Sequence, residues 1–359
     1  MSENAESIEI RDLFKIFGPS PTRHIDAIKN GLPKSELQRR YRQVMALNNI
    51  SITIPAGKIQ VVMGLSGSGK STLIRHINRL IEPTSGSILI EGRDILAMGE
   101  LELRDFRRSH TAMVFQKFAL LPHRTVIENV TFGLDIRGMD RTKSRDVGMR
   151  WIERVGLHGF DARYPHELSG GMQQRVGLAR ALSNNASILL MDEAYSALDP
   201  LIRTDMQGML LDLQTELKKT IVFITHDLDE ALRLGDRIVI LRDGEIVQQG
   251  DSQDIVLRPA DDYIERFVKD VNRGRFVKVD AIMKPWARGD GAALPKVRSG
   301  ATLEEAAREL SESAFDEAIV ANGAGRPIGL ITLRQVTAAL SGAQSPSDER
   351  SAATGALAH

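Results

Sequence analysis

A glycine-rich stretch between two apolar segments constrains this chain more than any other feature. The run at 59–63 predicts a strand, the run at 72–80 predicts a helix, and the loop between them has the pattern GxxxxGK[ST]. Its glycines let backbone N–H groups turn inward around a phosphate, and the helix start adds a positive dipole end. Taken alone, such a glycine-rich loop could instead have a purely structural role at the end of a core strand. The pattern predicts a nucleoside triphosphate site formed by Gly64, Ser66, Gly67, Ser68, Gly69, Lys70, Ser71 and Thr72.

The composition limits the classes of protein to which the chain can belong. Its 359 residues predict a large domain plus a smaller one, and 47 basic against 47 acidic residues argue against a nucleic-acid partner. The sequence has no cysteine, which excludes disulfides and thiolate metal sites and fits a reducing compartment. The acidic start argues against an export signal. The lack of an apolar run of about 18 residues argues against a membrane-spanning helix. We therefore expect a cytosolic chain.

Apolar strands of the parallel-sheet kind end directly before polar residues suited to phosphate chemistry, namely Gln116, Asp192 and His226. Mg²⁺ prefers hard oxygen ligands, which Ser71, Gln116 and, usually through water, Asp192 can supply. Glu193 can polarise an attacking water, while His226 can donate to the γ-phosphate. Taken singly, each has an ordinary structural alternative: Asp192 could be a strand-end cap, Glu193 a surface acid and His226 a core histidine. Together they predict the catalytic set Lys70, Gln116, Glu193 and His226, and the Mg²⁺ ligands Ser71, Gln116 and Asp192.

Other segments carry less chemistry but shape the domain. Residues 19–46 are polar, and the run at 33–44 predicts an inserted surface helix with a solvated face. The apolar, proline-containing patch at 118–123 belongs either to the core or to a partner surface. About fifty residues of helical pattern follow the patch, through 130–134 and 150–157, and the Ser-Gly-Gly at 169–171 begins another predicted helix, which makes it a second anion site.

The C-terminal part of the chain predicts a separate, smaller domain. We place the nucleotide domain at 1–274 and a small α/β module at 275–341, in which a helix precedes two strands joined by a glycine-containing turn. Residues 342–359 are small or charged, and we expect them to be disordered.

The order of these motifs resembles that of the ATP-binding subunits of ABC transporters over about residues 6–270. The resemblance implies an α/β fold of the P-loop NTPase class, an ABC cassette with a helical subdomain, which binds ATP and Mg²⁺. The matching motifs are Walker A at 64–72, the Q-loop at Gln116, the signature at 168–171, Walker B at 188–192 with Glu193 after it, the D-loop at 196–199 and the switch histidine His226.

The same resemblance implies a homodimer. In such proteins two chains enclose two ATP molecules, with Ser169 and Gly171 of one chain facing the γ-phosphate held by Lys70 of the other. Phe17 matches the aromatic residue that stacks on adenine, although the insertion separates it widely from the phosphate loop. The nucleotide contacts implied in addition to the phosphate loop are Phe17, Gln116, Ser169, Gly170, Gly171 and Asp199.

A narrower resemblance is to the ATP-binding subunits of glycine betaine and proline betaine importers, which transport quaternary amines. It rests on the insertion and on the phrases NRLIEPT at 78–84, VFQKFALLPH at 114–123 and AYSALDPLIR at 194–203. The module at 275–341 is similar to a single CBS module, which is either regulatory or dimerising. It carries Gln335 where nucleotide-binding CBS modules commonly have an aspartate.

This resemblance implies an ATPase that powers import of glycine betaine, proline betaine or choline through a separate integral membrane permease. The patch at 118–123 would dock the permease, a substrate-binding protein would be an indirect partner, and the chain would lie on the cytoplasmic face of the inner membrane. Import of histidine or proline is the nearest alternative. A soluble ABC ATPase acting on DNA or ribosomes fits less well, because the sequence has neither a long coiled coil nor a second cassette. A third alternative is that the C-terminal module carries the main function, as an osmotic or nucleotide sensor, and that the cassette is only a weak ATPase.

Overall fold

The computed structural model describes residues 5–287 and 294–341. They belong to two compact units, Met1–Gln249 and Gly250–His359. The predicted domain boundary near residue 274 stays a prediction, and the segment 342–359, which we expected to be disordered, lies outside the described residues.

Strands and helices alternate along the first unit, as in other α/β folds. The strands are β1 (Ile8–Phe17), β2 (Val44–Ile54), β3 (Ile59–Met63), β4 (Ser85–Ile90), β5 (Arg93–Asp94), β6 (Thr111–Phe115), β7 (Ile188–Asp192), β8 (Thr220–Thr225), β9 (Arg237–Arg242) and β10 (Glu245–Gly250). The helices are α1 (Ile25–Lys29), α2 (Lys34–Tyr41), α3 (Lys70–Ile77), α4 (Glu100–Ser109), α5 (Val126–Ile136), α6 (Arg141–Arg154), α7 (Gly170–Ser183), α8 (Pro200–Leu217) and α9 (Leu228–Leu234). A short 3₁₀ turn at Pro165–Glu167 precedes α7.

The central sheet brings the predicted motifs to one edge. Its strand order is β10-β9-β3-β8-β7-β6, and β3, β6, β7, β8 and β9 run parallel to their neighbours in this group. Every residue of β3, β7 and β8 is buried, so their continuous apolar runs are covered on both faces. Because parallel strands end at the same edge, the residues that follow β3, β6, β7 and β8 gather there. The expected α/β fold is confirmed.

A second, antiparallel sheet packs into the same core as the central one. Its order is β2-β1-β4-β5, and Ile8 of β1 lies opposite Ile54 of β2 and Ile90 of β4. These side chains join the apolar residues of the central sheet and of α3 in one cluster, which holds the phosphate loop on a rigid base. The cluster includes Ile8, Leu13, Ile50, Ile54, Val62, Leu73, Ile77, Ile88, Ile90, Leu190, Val222 and Leu241.

The expected helical subdomain is built from α5, α6 and α7. Thr125 and Glu128 form a reciprocal capping box at the start of α5, and Asp140 caps α6 by accepting from the backbone N–H groups of Thr142 and Lys143. The three helices share an apolar cluster of their own, which makes the subdomain a distinct packing unit. It contains Val126, Ile127, Val130, Ile152, Val155, Leu157, Leu168, Val176 and Ala179.

The inserted segment differs from the prediction of a solvated surface helix. Its second helix forms at the expected place, after Pro33, but Leu37 is 0% exposed. Leu37 and Ile28 pack against Phe14 and Ile16 of β1, so the segment has a small core of its own. The predicted solvated face is present, since Gln38, Arg39 and Arg40 are exposed, but the apolar face was not predicted because its partner lies on a distant strand.

The second unit contains the predicted small α/β module. Its sheet has the order β11-β14-β13-β12, in which only the β12–β13 pair is parallel among the described strands of the unit. Thr302 and Glu305 form a capping box at the start of α13. The elements are α10 (Ser252–Leu257), α11 (Asp262–Val268), α12 (Arg273–Phe276), a 3₁₀ turn (Val279–Ala281), β11 (Lys284–Pro285), β12 (Lys296–Arg298), α13 (Leu303–Glu312), β13 (Glu317–Ala321), β14 (Pro327–Thr332) and α14 (Leu333–Ser341).

Candidate nucleotide site

The predicted phosphate loop lies between β3 and α3 and depends on its glycines. Gly64, Gly67 and Gly69 have φ values of 150°, 81° and 101°, a region that other residues rarely adopt. A Cβ on Gly64 would lie 2.2 Å from the carbonyl oxygen of Leu241, and one on Gly69 would lie 2.7 Å from that of Ala46. The glycines therefore supply both the backbone conformation and the close packing that a phosphate cradle requires.

Lys70 is held inside this loop. Its side chain is 4% exposed, and its ammonium group donates hydrogen bonds to the backbone oxygens of Gly64 (2.8 Å) and Leu65 (3.0 Å). Burial lowers the pKa of Lys70, and the charges of Glu193 and Asp192 act in the opposite direction. The two hydrogen-bond acceptors are neutral carbonyls, and the carboxylate of Glu193 lies 3.8 Å away, so a buried ammonium here is well suited to a closer anionic ligand.

The remaining loop residues are either exposed to a ligand or carry a buried polar group without a partner in the described part of the chain. Ser66 and Gly67 are exposed, and Thr72 is partly exposed. The hydroxyl of Ser68 is buried and has no hydrogen-bond partner in the described part of the chain. Because buried polar groups are normally paired, this hydroxyl marks a place where a further polar group fits.

Two oxygens at the end of β7 and the start of α3 match the predicted metal site. The hydroxyl of Ser71 donates to a carboxylate oxygen of Asp192 over 2.8 Å. Neighbouring ligands of octahedral Mg²⁺, each about 2.1 Å from the ion, lie about 3 Å apart. The Ser71 and Asp192 oxygens therefore fit Mg²⁺ in both chemistry and spacing. The guanidinium of Arg75, which the sequence analysis did not single out, lies 3.7 Å from the other oxygen of Asp192.

Glu193 lies between Lys70 and His226. One carboxylate oxygen is 3.8 Å from Nζ of Lys70, and the other is 3.5 Å from Nδ1 of His226. Its φ of 47° is unusual for a residue other than glycine, and its backbone N–H donates to the oxygen of Ile224. The structure thus brings together three of the predicted catalytic residues at the edge of the sheet.

Gln116, the fourth predicted catalytic residue, reaches this group through Ser196. Its side-chain amide donates to the Ser196 hydroxyl over 3.1 Å, and that hydroxyl donates to the backbone oxygen of Glu193 over 3.0 Å. The end of β6 is thereby tied to the segment that follows Glu193.

The predicted signature residues make local contacts. Ser169 caps α7 by accepting from the backbone N–H of Met172, and Asp199 caps α8 by accepting from that of Ile202. Gly170 and Gly171 form the first turn of α7, and a Cβ on Gly171 would lie 2.7 Å from the Ile202 side chain. In the part of the chain that the structure describes, their hydrogen bonds do not involve Lys70 or Glu193.

Comparisons with known proteins identify the family. The family model described as ABC transporter matches residues 47–196, and the one described as CBS domain matches residues 291–342. The glycine betaine transport ATP-binding protein OpuAA of Bacillus subtilis is 50% identical over 284 residues, which cover 79% of this chain and 68% of that protein. The chain belongs to the family of ABC transporter ATP-binding proteins.

Other relatives of this ABC transporter ATP-binding protein match it over most of its length. The glycine betaine/proline betaine transport system ATP-binding protein ProV of Salmonella typhimurium is 44% identical over 340 residues, covering 95% of this chain and 84% of that protein. The trimethylamine N-oxide transport system ATP-binding protein TmoW of Ruegeria pomeroyi is 43% identical over 324 residues, covering 90% and 94%. The protein is therefore an ATPase that powers transport, and the predicted ABC cassette and CBS domain are confirmed.

Solved structures agree with the cassette fold. The dimeric structure of a post-hydrolysis state of the ATP-binding cassette MJ0796, bound to ADP and Pi, is 31% identical with a TM-score of 0.58. The match covers 68% of this chain and 98% of that one. Among the described residues of the ABC protein, no helix combines the length and apolar character needed to cross a membrane.

Phe17 occupies the end of β1, as an adenine-stacking residue would. It lies opposite Val44 of β2 and is 41% exposed. The ammonium of Lys15 lies 4.8 Å from the centre of its ring. The half-exposed aromatic surface remains suited to stacking, and its role as an adenine contact stays a prediction.

A polar network beneath His226 was missed by the sequence analysis. Arg203 of α8 donates to the Asp227 carboxylate over 3.2 Å and to the backbone oxygen of Leu198 over 3.2 Å. Gln207, one turn later, donates to the buried carboxylate of Glu230 over 3.1 Å. The network joins the D-loop helix to the loop that carries His226. The signal in the sequence was the spacing of Asp227 and Glu230, which fits the cap and third residue of a helix.

Proposed function

We propose that this chain binds MgATP at the phosphate loop and uses Glu193 as the general base for hydrolysis. The observation that carries this proposal is the position of the Glu193 carboxylate, 3.8 Å from the Lys70 ammonium and 3.5 Å from His226. Lys70 exchanges its two carbonyl partners for phosphate oxygens, and Glu193 accepts a proton from the attacking water. His226, whose side chain is 55% exposed, is then free to donate to the γ-phosphate.

Ser71, Gln116 and Asp192 would hold Mg²⁺, which when bound neutralises the charge on the β- and γ-phosphates. Gln116 now donates to Ser196. Its side-chain oxygen is the atom that would contact the ion, while its amide nitrogen donates to Ser196, whose hydroxyl donates to the backbone oxygen of Glu193. One amide could thus link the metal site to the segment after Glu193.

We infer that the working form is a homodimer in which Ser169, Gly170, Gly171 and Asp199 of one chain complete the site of the other. Ser169, Gly170 and Gly171 lie at the N-terminal, positive end of α7, which is 14 residues long, and Asp199 caps the start of α8. Within one chain these residues stay apart from the Lys70 group in their hydrogen bonds among the described residues. A relative with 31% identity forms a dimer with bound ADP and Pi, which supports this arrangement.

The permease-docking surface is proposed to be an apolar groove that includes part of the predicted patch at 118–123. Leu80 and Ile136 in this groove are 54% and 45% exposed, which is unusual for large apolar side chains. A permease docked there would place the chain at the membrane surface, on the cytoplasmic face. Three arginines, Arg107, Arg108 and Arg180, also line the groove, and its apolar lining residues are Leu80, Ala112, Met113, Phe115, Ala119, Leu121, Phe132, Ile136 and Ala181.

The solute is proposed to be a small quaternary ammonium compound or a related amine oxide. The relatives named above are transport ATP-binding proteins for glycine betaine, proline betaine or trimethylamine N-oxide. These solutes share a compact cationic or dipolar nitrogen centre, and a permease and its substrate-binding protein would recognise it.

Uptake measurements test this proposal. Cells that lack the native gene would receive the wild-type chain or Glu193→Gln, and uptake of labelled glycine betaine, choline, trimethylamine N-oxide, proline and histidine would be followed. We expect a quaternary amine or amine oxide to enter only with the wild type. Uptake of histidine or proline alone would contradict the proposed solute class, and equal uptake with Glu193→Gln would contradict the role of Glu193.

A further inference from the structure

The inserted segment reaches a tight turn in the cassette through one side chain. Lys34, the first residue of α2, donates from Nζ to the backbone oxygen of Asp243. The same ammonium lies 3.3 Å from the carboxylate of Glu245. Asp243 and Gly244 form the turn that joins β9 to β10, so α2 is bound to that turn by a hydrogen bond and to the first residue of β10 by an ion pair.

The same turn is bonded to the phosphate loop. The backbone N–H of Gly244 donates to the oxygen of Ser68 over 3.1 Å. On its other side, the backbone N–H of Asn48 donates to the oxygen of Gly244 over 2.7 Å, and the Asn48 side chain donates to Glu245 over 2.7 Å. The turn therefore connects α2, β2 and the loop around Ser68.

The backbone of this turn is conformationally restricted and closely packed. Asp243 and Gly244 have φ values of 51° and 76°, so the turn has a defined, left-handed backbone. A Cβ on Gly244 would lie 2.5 Å from the oxygen of Ala46, and one on Gly69 would lie 2.7 Å from the same oxygen. Because the turn and the phosphate loop both pack directly against Ala46, a shift of the turn must be passed to the loop.

We propose that Lys34 is a positioning residue that fixes the phosphate loop through the turn at Asp243 and Gly244. The inference rests on the proposed role of the loop at 64–72 as the phosphate site. Lys34 does not act as a ligand in this proposal; it sets the placement of Ser68 and of the N–H groups beside it. A small displacement of binding groups costs affinity even where it costs little stability.

The decisive variant is Lys34→Met, which keeps the aliphatic stem and removes the donor. We expect it to raise the Kd for MgATP and MgADP about three- to tenfold, and to leave the Kd for AMP unchanged. AMP lacks the β- and γ-phosphates that the loop is proposed to bind. Calorimetry on the full-length chain would give the three values, and Lys34→Arg should restore most of the affinity.

Arg39→Met is the matched control. Arg39 lies on the same helix, its side chain is 74% exposed, and its ion pair is with Glu36 of α2, 3.9 Å away. It removes the same charge from the same segment. Equal weakening by Arg39→Met and Lys34→Met would overturn the proposal, because the effect would then come from overall charge.

Two further variants keep the result interpretable. Glu245→Gln removes the ion pair with Lys34 but keeps an oxygen for Asn48, so it should also weaken MgATP binding, and it replaces Lys34→Met if that variant does not fold. A lower Tm with unchanged Kd values in these variants would overturn the proposal and leave Lys34 a structural residue. Lys70→Ala separates the two hypotheses. If Lys70→Ala and Lys34→Met both bind MgATP with wild-type affinity, the proposed phosphate site is wrong. If Lys70→Ala loses binding while Lys34→Met keeps it, only the positioning role of Lys34 is wrong.

Discussion

The nucleotide site of the first unit and the small module of the second unit differ in how completely their polar side chains are hydrogen-bonded. In the nucleotide site, the buried hydroxyl of Ser68 has no partner among the described residues, and Lys70 lies 3.8 Å from Glu193. In the small module, the side-chain oxygen of Gln335 accepts from the backbone and hydroxyl of Thr332, and its amide donates to the oxygen of Ile282. Asp280 likewise accepts from Ser299 and from the backbone of Gly300.

This contrast separates groups held ready for a ligand from groups that hold a fold together. A buried polar group without a hydrogen-bond partner lowers the stability of the fold. Such a group is retained at sites where a bound ligand supplies the partner. Gln335 closes a capping interaction at the start of α14 and ties it to Ile282, which are structural contacts. Substitutions should therefore change nucleotide chemistry in the first region and stability in the second.

The largest effect is expected for Glu193→Gln, which keeps the shape of the side chain but removes its basicity. ATP hydrolysis should fall by about 10²- to 10⁴-fold, while ATP binding is retained. Phosphate release and nucleotide binding would be measured side by side. Glu216→Gln, at an exposed carboxylate paired with Arg154, is the control and should hydrolyse ATP at the wild-type rate. Wild-type hydrolysis by Glu193→Gln would exclude it as the base.

Lys70→Ala should act on binding. Loss of its charge-assisted contacts to phosphate is expected to raise the Kd for MgATP about ten- to a hundredfold. Lys58→Ala is the control, because the Lys58 ammonium is exposed and pairs with Asp236 over 3.0 Å. If Lys70→Ala retained the affinity of the wild type, the loop would not bind phosphate in the way proposed.

Arg203→Met tests the network under His226 and should have an intermediate effect. Without the contacts to Asp227 and Leu198, the loop that carries His226 is less well placed, and we expect kcat to fall about five- to tenfold with little change in KM. Arg203→Lys should recover part of the rate. A purely structural role would lower Tm and leave kcat per folded molecule unchanged.

Gln335→Ala should have the smallest effect and should confine it to stability. Loss of its contacts to Thr332 and Ile282 is expected to lower the Tm of the second unit by about 2–4 °C. The rate of ATP hydrolysis should not change. Calorimetric scans together with phosphate release would check both statements, and a Tm rise on addition of ATP or AMP that is lost in Gln335→Ala would show that the side chain binds a ligand.

The sequence allowed prediction of features that depend on residue type at a fixed spacing. The strands β3, β7 and β8 followed from continuous apolar runs, and the meeting of Lys70, Glu193 and His226 followed from motif order. Features that depend on a partner outside these motifs were not predicted. The pairing of Arg203 with Asp227 joins residues 24 positions apart on different elements, and neither side chain announces the other.

The inserted segment illustrates the same limit from the packing side. Leu37 stands among charged residues on a short helix, and the local pattern is that of a solvated surface. Its burial depends on Phe14 and Ile16, which lie on β1 and are separated from it by a turn and another helix. Composition within a window cannot supply that partner, so the segment could be placed on the fold only from the structure.

The left-handed backbone of Glu193 has a consequence for how this enzyme can be improved. A non-glycine residue at a φ of 47° is conformationally costly, and glycine or asparagine would adopt it more readily. An exchange to glycine or asparagine would thus relax the backbone there but remove the carboxylate that we assign to proton removal. Selection for turnover would oppose that exchange, so backbone conformation and catalytic rate make opposite demands on this residue.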